Sequence, residues 1–379
     1  MPWIFLPFEH IDQQFRLPQG IFFLCISLAM LSLAFIKGIF IDYKNKYMGY
    51  FLGYTLISYF LIFIIPYGLS FVGRGRSINF WALESFLYFI FGLILFVVIT
   101  FSFTREDFKR IAKTLCYSAT FMSVFAILQY TGFDPLKSVA KYNCGNVISA
   151  CLDNPNLVSA YLVLCLPFFS IFREKKYYIG LILTIIGILV AKSHFAIALM
   201  SLSILTYSTI KLWREKWIYR LIPLVVAVVL VLVAVKIDYA RIDNEGMHGR
   251  LEAWGKAVDI AKQNILFGQG IGCFKAKGVV TGTPDPSIGY LGNPWNEVHN
   301  DWLERVIDLG LIGVFLFILV LVNTLRNIKI KDDTDLAYLI SFGLFLLLMI
   351  GSFPMEVPTI ALLGLVYFSK LEHNRMELV

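Results

Sequence analysis

Charge is what this 379-residue chain has least of. Only 16% of its residues are Asp, Glu, Lys or Arg, where a soluble domain carries about 25%. That deficit, beside 58% hydrophobic residues, excludes an ordinary soluble globular enzyme and points to a polytopic membrane protein. Histidine is also scarce, with five in all. None joins a second His and carboxylates at ligand spacing, so no metal site and no cofactor is expected. The six cysteines lack metal spacing as well. Cys25, Cys116 and Cys165 fall in apolar runs and read as small core residues. Cys144 and Cys151 share one short loop and can pair if that loop faces an oxidising side. No Ser or Cys nucleophile motif is visible. Met1-Pro2-Trp3-Ile4-Phe5 lacks the basic start of a cleavable signal peptide. The net charge of +7 does not imply nucleic acid, because the basic residues are scattered through short loops, as membrane orientation requires.

What is present is a succession of apolar runs near bilayer length. They cover 18–40, 47–71, 80–103, 111–130, 156–172, 177–191, 195–213, 217–235, 310–325, 337–353 and 359–371. The expected fold is all-α and polytopic, with about 11 transmembrane helices (roughly 10–12) and one long helical loop. The organisation follows: helices 1–8 within 1–235, a loop over 236–309, and helices 9–11 within 310–379. Residues 3–17 are amphipathic and suit the membrane interface. Alternate loops divide the basic residues unevenly. One set, which includes Arg105, Arg173, Lys211, Arg326, Lys370 and Arg375, holds about 16, and the other about 6. The first set is therefore cytoplasmic, and the long loop faces outward. Arg74, Arg76, Lys192 and His194 sit in short outward loops, against this bias. They are either interfacial snorkelling residues or cations that converge on an anionic ligand.

The long loop carries the residues best suited to chemistry. Residues 249–262 read as an amphipathic helix with Leu251, Trp254, Val258 and Ala261 on one side, and Arg250 in its first turn. A cation there opposes the helix dipole, which hints at a neighbouring anion. Phe267-Gly268-Gln269-Gly270-Ile271-Gly272 reads as a tight turn, or as a backbone cradle for phosphate. Residues 281–295 are rich in Gly and Pro and suit a mobile gate. His299 opens the next helix, with Asn300 or Asp301 as its cap. An imidazole outside the membrane is either structural or a general base. Glu84 sits inside a predicted span, where a carboxylate is a functional candidate.

These blocks have a familiar order. Arg250-Leu-Glu-Ala-Trp254, then Leu266-Phe-Gly268-Gln-Gly270-Ile-Gly272, then His299-Asn300-Asp301-Trp302-Leu303-Glu304 with Asp308-Leu309-Gly310, resembles the O-antigen ligase and O-antigen polymerase-like membrane protein family. Asn154-Pro155-Asn156 upstream resembles that family's Asn-Pro-Asn helix start. The resemblance implies a fold similar to polyprenyl-carrier-dependent membrane glycosyltransferases. It implies metal-independent, inverting transfer of a glycan from undecaprenyl diphosphate to an acceptor hydroxyl. Lipid A core, a growing polysaccharide or a protein would be the acceptor, on the outer face of the cytoplasmic (inner) membrane. His299 matches the family's essential His and Arg250 its loop Arg. Substrate contacts are expected from Arg74, Arg76, Lys192, His194, Asn154, Asn156, Trp254, Asn300 and Glu84. The chain departs from the family at Ser193-His194, where Ser-Arg is usual. A transporter or flippase for a lipid-linked sugar or small anion is the competing class.

Overall fold

The computed structural model describes residues 46–64, 78–134, 148, 150, 152, 154–212, 245–274, 280–281, 293–294 and 298–376. Helices dominate them: α1 (Lys46–Ile64), α2 (Ile78–Ser102), α3 (Arg105–Tyr130), α4 (Pro155–Cys165, continued by a 3₁₀ turn over Leu166–Ile171), α5 (Lys175–Ala191), α6 (His194–Leu212), α7 (Glu245–Lys262), α8 (Asp301–Arg326), α9 (Asp333–Gly351) and α10 (Pro358–Met376). Each expected span on described residues coincides with a helix. The spans 18–40 and 217–235, and the amphipathic stretch 3–17, lie outside the described residues. Among the described residues, α3, α8 and α9 are long and apolar enough to cross a membrane. A short antiparallel pair, β1 (Val280–Thr281) with β2 (Asn293–Pro294), belongs to the long loop. Most of the expected gate, like Cys144 and Cys151, lies outside the described residues.

Helix starts follow local chemistry. Thr104 and Asp107 form a reciprocal capping box on α3, which satisfies donors that the helix itself leaves open. Asn154 caps α4 ahead of Pro155, a residue whose missing N–H costs nothing in the first turn. Close packing follows from small residues. A Cβ on Gly180 would lie 2.5 Å from Thr120 Oγ1, and one on Gly187 would lie 2.8 Å from Ser123 Oγ. These glycines let α5 and α3 approach closely, the usual means of tight association between apolar helices. Cys116 and Cys165 are buried, as the sequence predicts. The buried hydroxyls of Tyr338 and Tyr367 donate to Phe108 O (2.9 Å) and Leu164 O (3.1 Å), which removes the penalty of an unpaired polar group in an apolar core.

One end of the bundle gathers charge. Lys370 pairs with Asp335 at 3.0 Å, Arg105 reaches Asp335 at 3.4 Å, and Arg375 pairs with Glu372 at 2.9 Å. Lys211 meets Asp333 at the same end. Charge distribution along the sequence places Lys370 and Arg375 with the loop residues. The structure instead extends α10 to Met376 and buries both side chains, at 1% and 4% exposure. Partner carboxylates make that burial tolerable. Removing these two from the count leaves the loop asymmetry in the same direction.

Candidate functional site

A small cleft of ≈ 40 Å³ lies at the other end of the bundle. Four elements build it: the start of α4 (Asn154, Asn156), the start of α6 (Ser193, Phe195, Ala196), the end of α9 (Leu348 to Phe353), and the long loop, which supplies Arg250 and His299. Residues as far apart in sequence as Asn154 and Phe353 thus line one small space.

The Arg250 guanidinium is half-buried, and burial lowers its pKa below the ordinary arginine value. Arginine stays protonated even so. The shift records a desolvation cost with no described carboxylate to offset it, a condition that favours a bound anion. α7 begins at Glu245 rather than near residue 249. Arg250 therefore stands in the second turn, where the dipole is weaker than the sequence reading supposed. The buried face of α7 also differs from the expected one. Ala253, Ala257, Ile260 and Ala261 are buried, while Leu251 and Val258 are exposed. Small side chains let α7 sit close against Ile307, Val298 and Phe274.

His299 has a left-handed backbone, with φ at 56°, a conformation that needs support in a residue bearing a Cβ. Support comes from both sides. Trp254 Nε1 donates to Val298 O at 2.9 Å, and Asn300 Oδ1 accepts from Leu303 N at 3.0 Å, capping α8. The imidazole meets the Phe353 ring edge to face, with centroids 4.5 Å apart.

The glycine-rich turn is a clasp. Gln269 N donates to Ile307 O (2.6 Å), Gly270 N to Asp308 O (3.1 Å), and Gly272 N to Asp308 Oδ1 (3.2 Å). In return, Leu311 N and Ile312 N donate to Ile265 O (2.8 Å) and Leu266 O (3.2 Å). Of the two readings of this turn, a structural turn is the one observed, since these amides are already occupied. α8 is kinked where the clasp grips it, at Gly310, with φ 66° and ψ −178°.

Of the expected site residues, the cleft gathers His299, Arg250, Asn154 and Asn156. Trp254 and Asn300 stand behind them and hold the His299 backbone. Lys192 ends α5 in a left-handed conformation, with Nζ 5.5 Å from the Tyr130 ring centroid. His194 opens α6 without lining the cleft. Arg74 and Arg76 lie outside the described residues, as does the Glu84 side chain. Sequence reasoning did not single out Ser352 and Phe353. The available signal was the break from the apolar run of α9 into Ser352-Phe353-Pro354.

Residues 160–318 match the family model described as O-antigen ligase. Over that region the chain is O-antigen ligase-like. The match spans Arg250, the glycine clasp and His299. It ends before Phe353 and begins after Asn156. No curated protein matches the chain at a significant level. The matched family is one of membrane proteins, and the apolar helices agree with a membrane location.

Proposed function

We propose that the cleft transfers a glycan from undecaprenyl diphosphate to an acceptor hydroxyl, on the outer face of the cytoplasmic membrane. The observation that carries this reading is the convergence of His299 and Arg250 on one cleft. The acceptor oxygen attacks the anomeric carbon while the bond from that carbon to the diphosphate oxygen breaks. His299 accepts the hydroxyl proton, a role worth about 10²–10⁴ in rate. Negative charge grows on the departing diphosphate, and Arg250, poorly compensated before substrate arrives, stabilises it. Displacement from the opposite side inverts the anomeric centre. Asn154 spends its Oδ1 on Leu157 N, so its amide N–H groups remain to bind sugar or phosphate oxygens.

Outward orientation rests on the two ends of the bundle. The cleft lies opposite the end that holds Arg105, Lys211 and the loop after Arg326, and loops rich in Lys and Arg remain in the cytoplasm. The test uses protein reconstituted in vesicles with undecaprenyl-diphosphate glycan and candidate acceptors, with products identified by mass. His299→Ala is expected to bind donor and form no product above about 1% of the parent rate. Full turnover by that variant would sink the base assignment. Donor crossing the bilayer with no transfer product would favour a flippase instead.

A further inference from the structure

The first turns of α8 do more than present His299. Their side chains fasten α9 and the segment that follows it, which supplies Phe353 to the cleft. Asp301 Oδ2 accepts from Met355 N at 2.8 Å. Trp302 Nε1 donates to Leu346 O at 3.1 Å. Arg305 lies between the two elements: one terminal nitrogen is 3.2 Å from Asp308 Oδ2, and the other is 3.0 Å from Glu356 Oε1. Asp308 is almost wholly buried, and its second oxygen accepts Gly272 N from the glycine clasp. The Arg305 fork thus ties together the clasp, the start of α8 and the 3₁₀ turn Pro354–Glu356. His299 precedes the first of these ties by two residues, and Phe353 precedes the 3₁₀ turn by one. Their rings touch edge to face.

We propose that Arg305 is a positioning residue for the transfer reaction. Its paired contacts with Asp308 and Glu356 set the Phe353 ring against His299 and so fix the direction in which the imidazole faces the cleft. This rests on the reading of His299 as general base. A guanidinium is suited to the task because its planar fork can satisfy two carboxylates at fixed angles, which an ammonium cannot do. The arrangement predicts a defect in turnover rather than in donor capture, because the contacts of Arg305 run to Asp308 and Glu356, beside His299 and Phe353, and none runs directly to Arg250, Asn154 or Asn156. A displacement of about 1 Å in a reacting group can cost on the order of 100-fold.

The experiment compares Arg305→Gln, Arg305→Lys and Glu356→Gln with the parent in full-length protein, per unit of folded protein. Two readouts are taken, steady-state transfer kinetics and the imidazole NMR signals of the five histidines, with His299→Ala identifying the His299 signal. The expected result is a roughly 10–100-fold fall in kcat with KM changed less than about threefold. The His299 resonance should move, because the Phe353 ring that shifts it has been released. Arg305→Lys should lie between Arg305→Gln and the parent. If Arg305→Gln fails to insert, Glu356→Gln carries the same expectation, since Arg305 then keeps Asp308. A folded variant with parental kcat, or one whose kcat falls while the His299 signal stays in place, overturns the proposal. A His299→Ala protein with full turnover defeats the base assignment itself and is distinguishable from either result.

Discussion

Replacing Gly310 by alanine adds one methyl group where, of the described glycines, a Cβ would meet the nearest backbone atom. Built on the present backbone, its Cβ would stand 2.2 Å from Leu266 O, 2.4 Å from Leu266 C and 2.5 Å from Gly268 N. None of these atoms belongs to a side chain that can swing away. Two costs act together. The conformation at φ 66° and ψ −178° is essentially confined to glycine and costs a residue with a Cβ about 1–3 kcal/mol. Forcing a methyl into packed backbone costs about 1–3 kcal/mol more. Relief requires separating the clasp from α8, which sacrifices the exchange of hydrogen bonds between residues 265–270 and 307–312. The expected destabilisation is therefore about 2–6 kcal/mol. At about 2 °C per kcal/mol, the thermal midpoint of purified protein in detergent should fall by roughly 4–12 °C. Gly255→Ala is the control. Gly255 lies on the exposed side of α7, and a Cβ there meets nothing within 4 Å. That change should stabilise α7 by about 0.5–1 kcal/mol. If Gly310→Ala melts within 1 °C of the parent, the clasp is not what holds α8, and the reasoning fails.

Other outcomes follow from the same contacts. Arg250→Lys should insert normally and lose about 10–100-fold in kcat/KM, since a charge-assisted bond of about 1.5–3 kcal/mol is removed when a fork becomes a point charge; activity within twofold of the parent would count against the diphosphate role. Trp254→Phe deletes the bond to Val298 O, worth about 1 kcal/mol. It should lower kcat several-fold with donor binding retained, as measured by a binding isotherm beside the rate assay. EDTA should leave initial transfer rates unchanged, and loss of activity restored by a divalent metal would revise the mechanism.

Much of the architecture was legible because a bilayer imposes a length and a composition on any helix that crosses it. The apolar runs alone marked where α1 to α6 and α8 to α10 lie. Their ends were less legible. α10 ends beyond its apolar run, where Lys370 pairs with the buried Asp335 of α9 and Arg375 with Glu372 one turn away in the same helix, and the pairing with Asp335 joins residues 35 positions apart. The buried face of α7 was misjudged for a related reason. Residue size at the contact with α8 decided it, and alanines outcompeted Leu251 and Val258 because closeness there mattered more than hydrophobicity.

The site divides along the same line. Residue type by itself marked His299 and Arg250, because an imidazole and a guanidinium are conspicuous in a chain so poor in charge, whereas the Asn154-Pro155-Asn156 segment was marked only by its resemblance to the family's helix start. Whether they share a cleft, and what surrounds them, was settled only by packing. Phe353 reaches His299 because α9 ends beside the start of α8. The glycine turn became a clasp rather than a phosphate cradle because the kink in α8 took its amide donors. One-dimensional patterns report what a segment can do alone; which hydrogen bonds and ring contacts it makes depends on the neighbours that burial forces upon it.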